Sequence, residues 1–168
     1  MRYILLAILP FLAIFLQSTF FNTYTMNGTV PDMVLVFVIF YALLNGGNKG
    51  ALYGVFCGLL EDLYMGRFIG MNTISKAITA YIIGRFQGRV FEENVAVGII
   101  GVILGSLINA ILLFILAFMY FEIFHVDQSI IINIFYQTCY NTLITTPIYI
   151  WYYQSSKRGL LKETGERL

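Results

Sequence analysis

Apolar stretches alternate with short polar or glycine-rich breaks along the whole chain. Each stretch is long enough to predict a helix, and most approach the roughly 20 apolar residues that cross a bilayer in helical form. The pattern therefore predicts six helices, over residues 3–21, 30–44, 50–64, 69–85, 95–121 and 130–153.

The third predicted helix is shorter than a bilayer requires. Its 15 residues extend about 22 Å at a rise of 1.5 Å per residue, whereas the hydrocarbon core is roughly 30 Å thick. A short, glycine-rich helix of this kind is expected to be shielded by its neighbours inside a bundle.

Composition favours a membrane protein over a soluble one. Hydrophobic residues make up 59% of the 168 positions and charged residues 11%, with a mean hydropathy of +0.80, whereas soluble domains carry roughly 25% charged residues. The net charge is only +1 and no extended basic patch is present, which argues against nucleic-acid binding. We predict an all-α integral membrane protein, a six-transmembrane-helix bundle that forms a single transmembrane domain over residues 1–168.

The positions of lysine and arginine predict the orientation, because cytoplasmic loops carry an excess of both. With the N-terminus inside and six spans, eight of the ten basic residues fall on the cytoplasmic side. Arg67 is then the one basic residue outside, and Lys76 lies within a span. Both termini are accordingly predicted to be cytoplasmic.

A regular series of small residues runs through the middle of the chain. Glycine recurs at every fourth position from Gly46 to Gly70, with Asp62 in one place of the series. Positions four apart share one helix face, and glycine lets another helix backbone approach closely. The series predicts a helix-packing or partner interface made of Gly50, Gly54, Gly58, Asp62, Gly66 and Gly70.

Lys76 is the basic residue placed well inside an apolar segment, and an intramembrane lysine needs a partner or a wet cavity. Glu61 or Asp62 could face it across the predicted hairpin. Adjacent residues of a helix point about 100° apart, so the two carboxylates do not form a dyad. Asp62 lies on the glycine face, and we predict an intramembrane ion pair between Asp62 and Lys76. The alternative is that Asp62 caps the turn between Gly66 and Gly70.

Other polar residues give weaker signals for chemistry. His125 stands between Glu122 and Asp127, where a solvated loop is favoured over a cation site. The chain has no nucleophile elbow, phosphate-binding loop or metal-ligand spacing. We predict no enzyme activity, no cofactor and no metal. Four amides in the last two helices could join helices or line a ligand cavity: Asn109, Asn133, Gln137 and Asn141.

The segment from Pro31 to about residue 89 resembles the MreD family of rod shape-determining proteins. The resemblance is carried by Pro31-Asp32, the glycine series, the run Leu59-Leu60-Glu61-Asp62-Leu63, and then Gly66, Gly70, Asn72, Tyr81 and Arg85. Chain length, the number of predicted helices and the basic ends also agree with that family. Gly54, Gly58 and Asp62 are the positions that the resemblance carries over.

The resemblance implies a multi-pass protein of the bacterial inner (cytoplasmic) membrane that belongs to the elongation machinery and has no catalysis of its own. Surrounded by membrane lipids, it would act through an MreC-like bitopic protein. Through MreC it would reach the cytoskeletal MreB, RodA and a class B penicillin-binding protein, and so couple peptidoglycan synthesis to rod cell shape.

The main alternative is a substrate-binding subunit of an energy-coupling-factor vitamin transporter, because the MreD family is similar in fold to those subunits. They share a small-xxx-small motif in the first span, whereas here Ala7 and Ala13 are six residues apart. A third possibility is an accessory subunit of another membrane complex.

Overall fold

The computed structural model describes residues 2–66, 68–86, 95–120 and 128–158. Within these ranges the chain is helical, with an isolated bridge between Met26 and Thr29 and no strand. The prediction of an all-α protein is confirmed. Six long helices and one short helical turn follow in the order α1 (Arg2–Ser18), α2 (Phe20–Thr23), α3 (Met33–Asn45), α4 (Gly47–Met65), α5 (Met71–Gly84), α6 (Val95–Tyr120) and α7 (Gln128–Arg158).

Helix α3 is the centre of the bundle. Its sequence is apolar on every side, and ten of its 13 residues are buried. Helices α1, α4, α5, α6 and α7 all contact it. A helix that is hydrophobic all round must be covered on all sides, and the other helices supply that cover.

Helices α4 and α5 form a closely packed antiparallel hairpin. A Cβ atom built on Gly54 would lie 2.8 Å from the carbonyl oxygen of Lys76. One built on Gly58 would lie 2.5 Å from the carbonyl oxygen of Asn72. Only glycine allows two helix backbones to approach this closely, and the four-residue spacing repeats the contact along α4.

The glycine face is therefore filled by the chain itself. Gly50 completes it, since a Cβ there would lie 2.6 Å from the Cβ of Ala42 on α3. Gly66 and Gly70 lie off this face, in the turn that joins α4 to α5, with φ of +65° and +111° and open space around them. They serve the turn, because glycine adopts positive φ without steric cost.

Helix α4 is longer than the sequence pattern predicts. It begins at Gly47 and ends at Met65, and its 19 residues extend about 28 Å. The sequence pattern predicts a break at the polar first turn of α4. This turn is instead helical, because Gly47 packs on α5. A Cβ on Gly47 would lie 2.7 Å from the carbonyl oxygen of Tyr81. The predicted length of this helix is corrected to 19 residues.

Two helical segments in the described part are long and apolar enough to cross a membrane, Ile4–Thr23 and Ala96–Met119. The central Met33–Asn45 is a shorter apolar helix. Large apolar side chains are exposed on α1 and α6, as expected for surfaces that lipid covers. The arrangement of six spans with both termini cytoplasmic stays a prediction.

We expect Gly54→Leu and Gly58→Leu each to lower the free energy of unfolding by about 1–3 kcal/mol or more, because the added side chain must displace the backbone of α5. Unfolding in mixed micelles, followed by loss of helical circular dichroism, measures the change. Leu59→Val is the control, since Leu59 lies on the exposed side of α4. Equal tolerance at all three positions would contradict the packing argument.

Candidate functional site

The ammonium group of Lys76 is fully buried among three polar side chains. It lies 2.8 Å from Asp32 Oδ2 and 2.7 Å from Glu61 Oε2, and it donates a hydrogen bond to Asn72 Oδ1 at 3.2 Å. Asp32 and Asn72 accept hydrogen bonds from the ammonium, and the contact with Glu61 is an ion pair. We call Asp32, Glu61, Asn72 and Lys76 the ion cluster.

The topology brings these residues to one end of the bundle. Helix α3 begins, α4 ends and α5 begins at this end. Asp32 is the N-cap of α3, and its Oδ1 accepts a hydrogen bond from the Leu35 N–H at 2.8 Å. This capping bond holds the Asp32 carboxylate so that its other oxygen, Oδ2, is directed at Lys76. Glu61 stands one turn before the end of α4, opposite Lys76 across the glycine contact.

The ion cluster carries one positive and two negative side chains, which is a net charge of −1 when all three are ionised. Glu61 Oε1 accepts one further hydrogen bond, a long one of 3.4 Å from Gln17 Nε2 on α1. Burying charges costs several kcal/mol per ion unless partners compensate. The cluster therefore holds α3, α4 and α5 in one arrangement, because moving any of them would leave a buried charge without its partner.

Asn141 extends this polar network to the last two helices. Its side chain is fully buried, its Oδ1 accepts a hydrogen bond from the Asp32 backbone N–H at 2.7 Å, and its Nδ2 donates to Ser106 Oγ at 3.0 Å. Among the four amides, this one joins helices α3, α6 and α7. Thr29 Oγ1 donates a longer bond of 3.4 Å to Asn133.

The predicted pairing of Asp62 with Lys76 is corrected, because the structure gives Lys76 the neighbouring carboxylate of Glu61 together with Asp32. Asp62 instead caps α5, the alternative reading of its position. Its two oxygens accept five hydrogen bonds, from the backbone N–H groups of Gly70, Asn72 and Thr73 and from the side chains of Asn72 and Thr73. The 100° step between adjacent helix residues explains the division: Glu61 points into the bundle and Asp62 toward the turn.

Asp32 is the member of the ion cluster that sequence reasoning missed. A signal was present, because an aspartate directly before an apolar run is a typical N-cap. The alternating direction of successive spans also places the start of α3 beside the end of α4. Neither signal by itself indicates a pairing with a lysine 44 positions away.

The His125 loop, with Glu122 and Asp127, lies outside the described residues. In the ranges that the structure does describe, no group of three or more histidine, cysteine, aspartate and glutamate side chains could hold a metal ion.

The fold and the ion cluster define a helical, membrane-associated protein whose buried charges fasten its helices together. Comparison with known families makes this specific: the model of the family described as rod shape-determining protein MreD matches residues 1–157. The chain belongs to the MreD family. No curated protein and no solved structure matches it.

Membership gives the chain a role in rod shape determination as part of the Mre shape system, and places it among membrane-associated, shape-determining structural proteins. The comparisons give no support to the alternative of a vitamin-transporter subunit.

Replacing Lys76 by methionine should lower the free energy of unfolding by about 3–5 kcal/mol, because two buried carboxylates then face each other without a counter-charge. Glu61→Gln should cost much less, since the Lys76–Asp32 pair is neutral by itself. Unfolding in mixed micelles and the amount of protein in the membrane fraction measure both effects.

The triple variant Lys76→Met, Asp32→Asn, Glu61→Gln tests the cause of that loss. It removes all three charges, and asparagine can still cap α3. We expect it to recover most of the stability lost in Lys76→Met alone. If the triple variant is as unstable as the single one, packing of the lysine stem and not charge explains the loss.

Asp62→Ala should destabilise the start of α5 by about 2 kcal/mol, because several helix N–H groups lose their acceptor. Asp62→Asn should destabilise the start of α5 less than Asp62→Ala does, since an amide keeps one acceptor oxygen. Hydrogen exchange at the Asn72 and Thr73 amides measures the change locally. Unchanged protection of these amides in Asp62→Ala would contradict the capping role.

Proposed function

We propose that this chain is a non-catalytic scaffold and regulator in the bacterial inner membrane, which acts with an MreC-like bitopic protein in the elongation machinery. Through that partner it couples MreB, RodA and a class B penicillin-binding protein to rod cell shape. Family membership supports the cellular role. The partners and the coupling are our inference.

The observation that carries the scaffold proposal is an exposed apolar stripe on α6. Its members recur at intervals of three and four residues and so lie on one helix face. From Ile100 to Phe118 the helix rises about 27 Å, close to the thickness of the hydrocarbon core. The stripe consists of Ile100, Leu104, Leu107, Ile111, Ile115 and Phe118.

The α6 stripe borders a groove between α6 and α7. The groove has a volume of about 680 Å³ and an almost entirely apolar lining, to which Leu107 and Ile103 of α6 and Phe135 of α7 contribute. Because α5 and α3 fill the glycine face, a partner helix needs a different surface. We infer that the single membrane-spanning helix of the MreC-like protein packs along the α6 stripe and into this groove.

A pull-down from native membranes in mild detergent tests the assignment. We expect mass spectrometry of the tagged chain to recover an MreC-like protein together with RodA and its penicillin-binding protein. Recovery of an ATP-driven transport module, or of a stoichiometric vitamin, would replace the scaffold with a transporter subunit.

Site-specific photocrosslinking tests the contact surface in the same cells. A photoreactive phenylalanine analogue at Leu107 or Ile111 should crosslink to the MreC-like partner. The matched control is the same analogue at Leu59, which is also exposed but lies on α4. Equal crosslinking from all three positions, or crosslinking from Leu59 alone, would contradict the proposed surface.

A further inference from the structure

A cavity of about 250 Å³ with a mixed polar and apolar lining lies between α1, α2 and α4, beside the ion cluster. Its lining includes Gln17 and Ser18 of α1, Asn22 of α2, and Glu61 and Tyr64 of α4. A water molecule takes up about 30 Å³ of liquid, so the cavity can hold a chemical group of several heavy atoms. The cavity is distinct from the apolar groove proposed to contact the partner helix.

At the inner end of this cavity, the negative charges of the ion cluster outnumber the positive one. Glu61 lines the cavity, although its side chain is almost fully buried. Lys76 is the one cation of the ion cluster, and its ammonium is shared between the carboxylates of Asp32 and Glu61 and donates to Asn72. The excess negative charge of the ion cluster therefore reaches the cavity through Glu61 Oε1.

The same end is also short of hydrogen-bond donors. Gln17 Oε1 is buried and accepts no hydrogen bond from the described residues. Glu61 Oε1 accepts only the long bond from Gln17 Nε2. A buried acceptor without a donor is costly, so Gln17 Oε1 next to the weakly bonded Glu61 Oε1 favours a ligand that supplies N–H groups. A cationic donor would meet the charge requirement as well.

The surroundings of the cavity favour an amphiphilic source for that cation. Apolar side chains near it are exposed, namely Phe15 on α1 and Leu63 and Met65 on α4. In a membrane such side chains contact acyl chains, while the ends of α1 and α4 lie near the polar boundary. A lipid bound here would place its headgroup against the cavity and its chains along α1 and α4.

We propose that this cavity binds a primary ammonium group, held by Glu61 and Gln17, of the size of an ethanolamine headgroup. The group can come from an ethanolamine lipid or from a soluble amine. A trimethylammonium group does not satisfy the site, because it carries the charge but has no N–H to donate. The proposal is independent of the partner surface on α6.

Native mass spectrometry of the purified full chain, freed of lipid in detergent, provides the test. Phosphatidylethanolamine is titrated against phosphatidylcholine with the same acyl chains, and phosphoethanolamine against phosphocholine forms the soluble arm. We expect the ethanolamine form to bind about tenfold more tightly than the choline form, as charge-assisted hydrogen bonds provide. Selectivity in the lipid arm identifies a headgroup as the source, and selectivity in the soluble arm alone identifies a free amine.

Two variants link the binding to this cavity. Ser18→Phe fills it from the α1 side and keeps all four residues of the ion cluster, and Thr23→Phe is the matched control, because Thr23 is exposed at the end of α2 and does not line the cavity. Glu61→Gln keeps the shape and removes the charge. We expect Ser18→Phe and Glu61→Gln to lose the tenfold preference and Thr23→Phe to retain it.

Circular dichroism in lipid-free detergent verifies that each variant is folded. Equal binding of ethanolamine and choline forms in both arms would overturn the proposal. An unchanged preference in folded Ser18→Phe would also overturn it, because the amine would then bind elsewhere.

Discussion

The burial of one ammonium group, that of Lys76, constrains the whole bundle. A lysine deep in an apolar helix is tolerated only where acceptors surround it. Here the acceptors come from the start of α3, the end of α4 and the first turn of α5, and Gln17 and Asn141 extend the network to the other long helices. Because the two ion pairs of Lys76 are short, at 2.8 Å to Asp32 and 2.7 Å to Glu61, they fix the relative depth of α3, α4 and α5, which apolar packing alone would leave free to slide.

Close backbone contact provides the second constraint, and the ion pair between Lys76 and Glu61 depends on it. Gly54 and Gly58 bring α4 against α5, which places Glu61 within 2.7 Å of Lys76. Asp62 then closes the same end by holding the first N–H groups of α5. Glycine contact sets the distance between the two helices, whereas the charged groups set their register. A larger residue in the contact would weaken the packing and the ion pair together.

This construction suits a protein that works through its outer surface. The charged side chains of the ion cluster and the glycine face make their contacts within the chain. The exposed part of α6 is apolar. Under the proposed function, a partner helix would be recognised mainly by apolar packing against this surface. The amine proposed to bind in the cavity beside Glu61 would contact one of the residues that hold the bundle together.

The sequence by itself determined the helical class, the approximate position of each long helix, the close-packing role of Gly50, Gly54 and Gly58, and the need of Lys76 for a carboxylate. These follow from local periodicity, side-chain size and the cost of burying charge. Only the tertiary structure decided which carboxylates pair with Lys76. Asp32 and Glu61 are 29 residues apart in the chain, and their meeting depends on the rotation of α4 and the capping of α3. A rotation of 100°, one residue along a helix, would have exchanged Glu61 and Asp62. Hydropathy does not determine that rotation, because it is set by the glycine contacts between two helices.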